Sequence, residues 1–552
     1  MASTQNQLRI SNQTRQPVQL PFNNLDFYKP NPNRKLGSGT FGEVILGGDG
    51  KSVPYTAIKV LKNTGFMTSN ILNEITALVG IDSEYVIKPI DVVVQETQIN
   101  IVFPLANGSF NYNALKNEKL VRHFGIQMCA GVADIHRAGL LHLDIKPDNL
   151  LVHETTNLWI SDFSISEPSS CLGNKRIGDY FSHWYRPPEI FLGMAPTQKS
   201  DVWAVGVILC EMIISQRTKR DFRLFSGVQD LDTLKLIFSI LGSPTSETWS
   251  EALSSTWNTL GDEFKQFQPR SYTFLSIGGN MTGEEIDLIL WMLQLNPDKR
   301  PSIFQVLQHA YFRHDMAELK SRLGTAFSIF EPSCRDVLVS LTHQPNIRIT
   351  LNGAQQRRDI CLVYSTIFSI SSQLALAIYL LDYLIERKLI VPERDASCYI
   401  AAIGVLAANF YNYILDPQLW WPVDENTVIE CYYDILKLTE FRLNVTTSYS
   451  YLTNLLKFES QEPEFIDRVW YIWELSQYTR YSWTMSPEML AQEVLFTAHG
   501  TPRRQLAQAI NSLEPKFHRE MWKNVFPNGP FKVPMQTPTV RSGRQLPPLP
   551  TQ

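Results

Sequence analysis

Two stretches decide the fold of this 552-residue chain: Leu141-His-Leu-Asp-Ile-Lys-Pro-Asp-Asn149 and, shortly after it, Ile160-Ser-Asp-Phe-Ser164. Each stretch places an aspartate shortly after apolar residues, Asp144 after Leu143 and Asp162 two positions after Ile160. Lys146 adds a cation beside Asp144, and the first stretch ends on an amide. Carboxylate and amide oxygens are ligands for hard divalent cations, and a lysine compensates negative charge. The two stretches therefore predict a site that binds and aligns an anionic group.

A glycine-rich segment, Lys35-Leu-Gly-Ser-Gly-Thr-Phe-Gly-Glu-Val44, lies upstream and contains Gly37, Gly39 and Gly42 as GxGxxG. Glycines let the backbone approach phosphates closely, and their N–H groups can cradle anionic oxygens. The same letters occur in dinucleotide-binding turns and in plain hairpins. A dinucleotide-binding turn requires a helix immediately afterwards, whereas here another β-type run, EVILGG, follows. The dinucleotide interpretation is therefore rejected.

A lysine ends the next β-branched run, Tyr55-Thr-Ala-Ile-Lys59, and Glu74 lies on the helix predicted after it. Taken alone, Lys59 is typical of a solvated strand edge and Glu74 of a helix surface. After a glycine-rich hairpin, such a lysine is placed to hold phosphates if a carboxylate orients it. The order of the motifs favours this pairing.

The two opening stretches resemble eukaryotic protein kinases, whose catalytic loop reads HRDxKxxN and whose metal-binding motif reads DFG. Here they read HLDIKPDN and DFS. The resemblance implies that Asp144 accepts the proton of the substrate hydroxyl and that Lys146 stabilises the transferring phosphoryl group. It implies that Asn149 and Asp162 hold magnesium and that ATP is the donor. A lysine in this loop is typical of serine/threonine kinases.

The motifs WYRPPE, FSGVQDLDTLKLIFSILGSPTSETW and LNPDKRPSIFQVLQHAYF are similar to cyclin-dependent kinases across residues 28–312. The similarity implies a preference for proline after the phosphoacceptor, carried by Arg186, and a structural ion pair between Glu189 and Arg300. Asp201 is expected to fix the catalytic loop. The residues that the resemblance assigns to nucleotide binding are Gly37, Gly39, Gly42, Val44, Ala57, Lys59, Glu74, Phe103, Leu105 and Ala106.

The second half of the chain is helical by periodicity and resembles a cyclin box, in which Arg358 and Asp382 match a bracing ion pair. The alternative is an unrelated helical bundle. The predicted fold is α+β: a bilobal protein kinase fold followed by an all-α cyclin-like domain. The predicted segments are a flexible leader (1–27), the kinase domain (28–312), a linker with a short helix (313–350), a cyclin box-like fold (351–445), a second, shortened cyclin-like fold (446–525) and a proline-rich disordered tail (526–552).

Four positions depart together from the cyclin-dependent kinase pattern. The three arginines that gather an activating phosphothreonine are replaced by Asn73, Leu143 and Glu167, and the phosphothreonine itself by Ile177. An arginine kept without its anion would be an uncompensated, partly buried charge, so joint loss is physically coherent. The departures predict a kinase that needs no activating phosphorylation. Ser164 in place of the DFG glycine is expected to restrict the hinge modestly.

Three further positions differ from the two families. The inhibitory tyrosine of the glycine-rich loop is Phe41, beside a retained Thr40, so control by tyrosine phosphorylation is not expected. The lysine and glutamate with which cyclins grip the kinase helix appear as Asn409 and Tyr432. These departures argue against a conventional charged grip on the Glu74 helix, for which hydrophobic packing could substitute.

Composition narrows the setting. A net charge of −4 gives no general reason to bind nucleic acid or a membrane surface, and seven unpatterned cysteines favour a reducing compartment. No run approaches the ~18 apolar residues of a membrane span, and Tyr399–Ala408 is predicted to be a buried helix. We therefore expect a soluble intracellular protein of the cytoplasm or nucleus. The kinase–cyclin combination resembles fusions of large DNA viruses, which would place it in a host cell.

Alternatives for function remain open at this point. A pseudokinase scaffold would explain HLD and DFS, and the helical half could instead dock substrates or another kinase. The main interpretation is a monomeric kinase acting on serine or threonine in proteins and activated in cis by its own cyclin-like domain. Arg544-Gln-Leu-Pro-Pro-Leu-Pro550 matches an SH3 ligand pattern, although a plain proline-rich end fits as well. Thr537 before Pro538 is a candidate autophosphorylation site.

Overall fold

The computed structural model describes residues 20–313 and 357–511 with gaps. The gaps are residues 40–41, 63–65, 96–97, 155, 169–181, 254, 270–280, 358–360, 362–363, 365–370, 387–396, 411–423, 446, 457–458, 460–461, 478, 480–481, 483–484 and 500–503. The predictions made for the linker helix, the tail, Thr40, Phe41 and Ile177 lie outside the described residues.

The first lobe is a five-stranded antiparallel sheet with one helix packed on it. The strands are β1 (Asn31–Gly39), β2 (Gly42–Gly47), β3 (Thr56–Lys62), β4 (Asp91–Gln95) and β5 (Gln98–Pro104), in the order β1-β2-β3-β5-β4. Helix α1 (Ser69–Gly80) packs in the main core with Ile101, whereas Val102 and Ile58 belong to a second small core with Tyr28. Alternate residues of β5 thus enter different cores, as the period of two requires.

Residues 20–28 are part of this lobe, which therefore includes described residues that the sequence assigned to the leader. Leu25–Tyr28 forms a 3-10 helix. The buried carboxylate of Asp91 accepts hydrogen bonds from the Phe22 N–H (2.9 Å), the Asn23 N–H (2.8 Å) and the Tyr28 hydroxyl (2.8 Å). Sequence analysis assigned residues 20–27 to the leader because the carboxylate that holds this stretch, Asp91 of β4, lies far along the chain.

The second lobe is mainly helical. Its helices are α2 (Glu118–Arg137), α3 (Pro188–Phe191), α4 (Gln198–Thr218), α5 (Asp230–Leu241), α6 (Ser255–Thr259), α7 (Gly283–Met292) and α8 (Ile303–Leu307). Its short strands are β6 (Gly108–Ser109), β7 (Leu140–Leu141), β8 (Leu150–His153), β9 (Asn157–Ile160) and β10 (Glu167–Pro168). Short 3-10 helices lie at Tyr112–Ala114, Pro147–Asn149, Ser250–Ala252, Asp262–Phe264, Pro297–Lys299 and Ala310–Phe312.

Helix α4 is the centre of this lobe, and a buried ion pair ties the chain around it. Residues 200–215 of α4 are all buried. Arg300 donates two hydrogen bonds to Glu189, at 2.8 and 2.7 Å, and the Ser200 hydroxyl of α4 donates a third at 2.8 Å. This confirms the predicted pairing of Glu189 with Arg300. It fixes α3 against the end of the lobe.

The second half is a helical bundle, as periodicity predicted. Its helices are α9 (Ser371–Glu386), α10 (Ser397–Phe410), α11 (Glu425–Leu438), α12 (Ser448–Leu456), α13 (Pro463–Ser476), α14 (Pro487–Ala498) and α15 (Arg504–Asn511). Helix α10 lies between α9 and α11 and also contacts α1 of the first lobe. Because neighbours surround it, its residues 400–408 are all buried and apolar on every side of the helix. Among the described residues, no helix is long and apolar enough to cross a membrane.

The ion pair predicted in this bundle is made one position earlier than expected. Arg357 donates to Asp382 at 2.5 and 2.8 Å and to the Gln477 carbonyl at 3.0 Å. Arg358, which the sequence pattern named, lies outside the described residues. Arg357, Cys361 and Tyr364 are spaced as on one helix face and are fully buried, and this phase decides which arginine meets Asp382. The ion pair also joins the two parts of the bundle through Gln477.

A buried carboxylate lies beneath the WYRPPE segment. Glu211 of α4 accepts hydrogen bonds from the hydroxyls of Tyr112 (2.5 Å) and Tyr185 (3.2 Å) and from the Leu224 N–H (2.8 Å). Arg223 lies over the Tyr112 ring, 4.4 Å from its centroid. Burial outweighs these partners and raises the pKa of Glu211 to about 7.

This pKa predicts a pH dependence of folding stability. Between the ordinary value of 4.5 and about 7 the folded chain binds a proton that the unfolded chain has released, so stability should fall as pH rises through this window. Glu211→Gln, which retains a neutral hydrogen-bonding side chain, should flatten that slope. Urea unfolding of both proteins at pH 5, 6 and 7 measures it, and identical slopes would contradict the prediction.

Candidate active site

A lysine and two carboxylates join the two lobes at the predicted site. The Lys59 Nζ of β3 lies 2.6 Å from Glu74 Oε1 of α1 and 3.0 Å from Asp162 Oδ1, which follows β9. Glu74 is buried on the inner face of α1. The structure therefore brings together three residues that are far apart in the sequence, in the pairing that the motif order indicated.

The two carboxylates of this contact stabilise the positive charge of Lys59. Burial lowers the pKa of Lys59, but Glu74 and Asp162 outweigh burial and hold that pKa above its ordinary value. Burial raises the pKa of Asp162, yet the Lys59 cation and the Ser164 hydroxyl hold it below its usual range. Lys59 is therefore an ammonium and Asp162 a carboxylate. The Ser164 hydroxyl gives this departure from DFG a role that sequence analysis did not assign.

The catalytic loop is held from below by Asp201. Its carboxylate accepts hydrogen bonds from the backbone N–H groups of His142 (3.0 Å) and Leu143 (2.9 Å) and contacts His136 Nε2 at 2.9 Å. Leu143 is fully buried and has a left-handed backbone, φ 67°. A non-glycine residue keeps such strain only where its surroundings impose it. Asp201 supplies that constraint, as the sequence predicted.

His142 links the loop to the metal-binding motif. Its Nδ1 accepts from the Asp144 N–H (3.2 Å), so Nε2 carries the proton and donates to the Ser161 carbonyl (3.1 Å). Burial lowers the pKa of His142, in agreement with a neutral ring. The ring meets Phe163 edge-on, with centroids 4.8 Å apart. His142 therefore connects the HLD motif to the DFS motif by direct contacts.

Asp144 is oriented by four groups. Its Oδ2 accepts from Lys146 Nζ (2.6 Å) and Asn149 Nδ2 (3.0 Å), and its Oδ1 accepts from the N–H (3.2 Å) and hydroxyl (3.1 Å) of Ser182. Lys146 also contacts the Ser182 hydroxyl at 3.1 Å. Such a fixed carboxylate can accept a proton from a hydroxyl placed beside it.

Sequence analysis missed Ser182. The signal was its position two residues before Trp184-Tyr185-Arg186, which anchors it in space, but a lone serine carries no recognisable motif. The structure shows that it ties the segment before α3 to the catalytic loop through Asp144 and Lys146.

The residues predicted to contact the nucleotide lie on β1, β2, β3 and the end of β5. Val44 is paired with Gly37 and with Lys59, and Ala57 is paired with Phe103. Leu105 is 38% exposed, and it follows β5 together with Ala106 on the connection between the lobes. Gly39 is paired with Gly42 at the hairpin end. These predicted residues therefore lie on neighbouring strands of the sheet that carries Lys59 and on the connection that follows β5.

A protein-family comparison agrees with this geometry. The model described as "Protein kinase domain" matches residues 31–312. The chain belongs to the protein kinase domain family. Serine/threonine-protein kinase MAK of Homo sapiens is 31% identical over 291 residues, which cover 51% of this chain and 45% of that protein. A probable serine/threonine-protein kinase of Dictyostelium discoideum is 32% identical over 295 residues, covering 51% of this chain and 55% of the relative.

A third relative, serine/threonine-protein kinase ICK of Mus musculus, is 31% identical over 291 residues, which cover 51% of this chain and 44% of that protein. The chain thus spans about half the length of these relatives. Two of these relatives are named MAK and ICK, and none of the three is named a cyclin-dependent kinase. The narrower likeness to cyclin-dependent kinases therefore remains a proposal.

Kinase domains use ATP and Mg²⁺, and the residues present fit both. A Cβ placed on Gly37 would meet no atom within 4 Å, which leaves the inner side of the hairpin open to phosphates. Asp162 and Asn149 offer the carboxylate and amide oxygens that Mg²⁺ prefers, and Lys59 stands beside them. Bound Mg²⁺ supplies charge neutralisation on the transferred phosphoryl group.

Two glycines of the hairpin have different reasons to be glycine. A Cβ on Gly42 would lie 2.3 Å from the Val60 carbonyl oxygen, whereas one on Gly37 is unobstructed. Gly42→Ala should therefore destabilise the protein, by about 1–3 kcal/mol. Gly37→Ala should leave stability unchanged and weaken Mg-ATP binding. Urea unfolding and calorimetric titration separate the two effects, and equal loss of stability in both variants would contradict the distinction.

Proposed function

We propose that this protein transfers the γ-phosphoryl group of ATP to serine or threonine hydroxyls of proteins. The observation that carries the proposal is that both halves of the required charge arrangement are formed together. Lys59, Glu74 and Asp162 are in contact on the donor side, and Asp144, Lys146 and Ser182 on the acceptor side. A pseudokinase scaffold would have no need to keep both. The departures at Leu143 and Ser164 leave these contacts intact.

The segment after Ser182 supports proline-directed specificity. Trp184 Nε1 donates to the Gly227 carbonyl at 2.7 Å, and Arg186 forms an ion pair with Asp230. Arg186 also lies over the Phe191 ring, 5.2 Å from its centroid. Its guanidinium is therefore held in place by Asp230 and Phe191. We infer that this fixed backbone, like that of cyclin-dependent kinases, accepts a serine or threonine followed by proline.

The helical half is proposed to be a cyclin-like activator in cis, because it contacts the helix that carries Glu74. Asn409 Nδ2 of α10 donates to the Met67 carbonyl just before α1, at 3.2 Å. Tyr432 of α11 is fully buried, and its ring meets Phe66 edge-on at 5.2 Å. These are the two positions where cyclins carry lysine and glutamate. Neutral hydrogen bonding and aromatic packing thus support the interface that the sequence predicted.

Activation without phosphorylation is proposed from the three positions that would bind the phosphate. Asn73 and Glu167 are buried and neither is cationic, and Leu143 belongs to the apolar core. A phosphate brought to these side chains would find no guanidinium. The seating of α1 by the helical half then remains as the activating step.

The remaining proposals concern the oligomeric state, the compartment, the partner of the tail and the substrates. The protein is proposed to act as a monomer in the cytoplasm or nucleus, in a host cell if the viral resemblance holds, and its proline-rich tail to bind an SH3-type partner. Substrates are proposed to be cell-cycle proteins with serine or threonine before proline.

Replacing the proposed base tests the catalytic assignment. Asp144→Asn should lower phosphorylation of a Ser-Pro peptide by at least about a hundredfold, because general-base catalysis contributes about 10²–10⁴. Asp148→Asn is the matched control, since Asp148 is an exposed aspartate of the same loop. Radiolabelled phosphate transfer measures both. Activity of the Asp144 variant near that of the control would remove the assignment.

The activation proposal predicts that phosphatase-treated full-length protein keeps its activity. It also predicts that Tyr432→Ala lowers kcat at least about tenfold, because about 1.4 kcal/mol of bias toward the seated α1 is lost. Tyr55→Ala, at an exposed tyrosine of the first lobe, should leave kcat unchanged and should not make the activity depend on phosphorylation. Inactive phosphatase-treated protein would overturn phosphorylation independence. Full activity of Tyr432→Ala would indicate that the helical half is a docking module.

A further inference from the structure

A second contact joins the helical half to the kinase domain, away from α1. The turn that follows α11, residues 439–445, touches both lobes. The ring of Phe441 lies 6.2 Å from the ring of Phe22, which belongs to the first lobe. Asn444 Nδ2 donates to the Ala138 carbonyl of the second lobe at 3.1 Å.

Backbone strain is concentrated at this contact. Of the eight non-glycine residues with positive φ in the described chain, Leu143 and Asp162 belong to the catalytic site. Three others, Phe22 (53°), Glu440 (49°) and Phe441 (59°), meet here. Such conformations persist only where neighbours impose them, and they gather at functional positions. The strain therefore marks this contact as more than incidental packing.

Each strained segment is locked by hydrogen bonds. The Phe22 and Asn23 N–H groups are held by Asp91, as described above. In the turn, the Phe441 N–H donates to the Leu436 carbonyl (2.8 Å) and the Arg442 N–H to the Thr439 carbonyl (2.9 Å). Phe441 is fully buried. The turn is thus a stiff connector between two fixed anchors.

The second anchor lies close to the catalytic loop. Ala138 caps α2, two residues after His136, whose ring contacts Asp201. The chain then runs through β7 directly into His142 and Leu143, which Asp201 also holds. A shift of the α2 end therefore reaches the base of the catalytic loop through few covalent and hydrogen-bonded steps.

We propose that residues 439–445 form a clamp across the two lobes, with Phe22, Phe441 and Asn444 as positioning residues for cleft closure. The clamp holds the first lobe through Phe22 and Asp91, and the second through Ala138. Because the nucleotide side chains lie on the first lobe and Asp144 on the second, the clamp sets their separation. This role is distinct from seating α1, and it rests on the proposed kinase function only for its effect on turnover.

The test uses full-length protein with Phe22→Ala, Asn444→Ala and the double variant. Phe27→Ala is the matched control, since Phe27 lies on the same segment and is 58% exposed. Asn444→Ala should speed amide exchange of Phe22 and Asn23 in the opposite lobe, and Phe22→Ala should speed exchange at residues 138–143. Asn444→Ala removes one hydrogen bond and Phe22→Ala removes one aromatic contact, and each should weaken Mg-ADP binding about threefold to tenfold. The KM for ATP should rise with them.

The double variant distinguishes a clamp from two separate contacts. A clamp opens once, so the double variant should bind Mg-ADP about as weakly as either single variant. Effects that multiply, exchange changes confined to the substituted lobe, or an equal effect of Phe27→Ala would each overturn the proposal. If the amide-exchange and Mg-ADP-binding effects are as expected but the protein phosphorylates no peptide, the proposed kinase function is wrong and the clamp is still supported.

Discussion

The contact of Lys59 with Glu74 and Asp162 is the interaction on which the rest of the arrangement depends. It joins a strand, a helix and the loop after β9, so it can form only when both lobes and α1 are in place. Removing one partner of a buried ion pair costs about 3–5 kcal/mol, because the other charge is left uncompensated. The same three residues are therefore the candidate site for phosphates. Their mutual contact forms only when the domain is assembled.

Seating of Glu74 connects this contact to the helical half. Helix α1 begins at Ser69, and the Met67 carbonyl before it accepts a hydrogen bond from Asn409. The interface uses an amide and aromatic rings instead of charged pairs. A tethered partner has a high effective concentration, so a contact too weak to hold two separate proteins can stay formed within one chain. Within one chain, the contact between the helical half and α1 therefore does not have to be strong.

The catalytic residues were predictable because each belongs to a motif whose letters and spacing carry chemistry. Lys59, Asp144 and Asp162 lie where those motifs placed them. Ser182 was not predictable in this way, since its role comes from the fold of the segment before Trp184. Arg357 was missed by one position because helical phase, not motif spacing, selects the arginine. Residues 20–27 were assigned to the leader because the buried carboxylate that holds Phe22 and Asn23 comes from β4, far along the chain.

The sites that sequence reasoning missed share a physical cause: each depends on a partner distant in the chain and carries no local pattern. Asp91 shows this, because it reads as the first residue of a strand, yet its carboxylate orders Phe22 and Asn23. Strain reveals such sites when motifs do not. Leu143 adopts a left-handed backbone because Asp201 imposes it, and Phe441 does so within a hydrogen-bonded turn. Of the eight left-handed non-glycine residues described, two are Leu143 and Asp162 and three lie where Phe22 meets the lobe-bridging turn, so such residues point to both places without being confined to them.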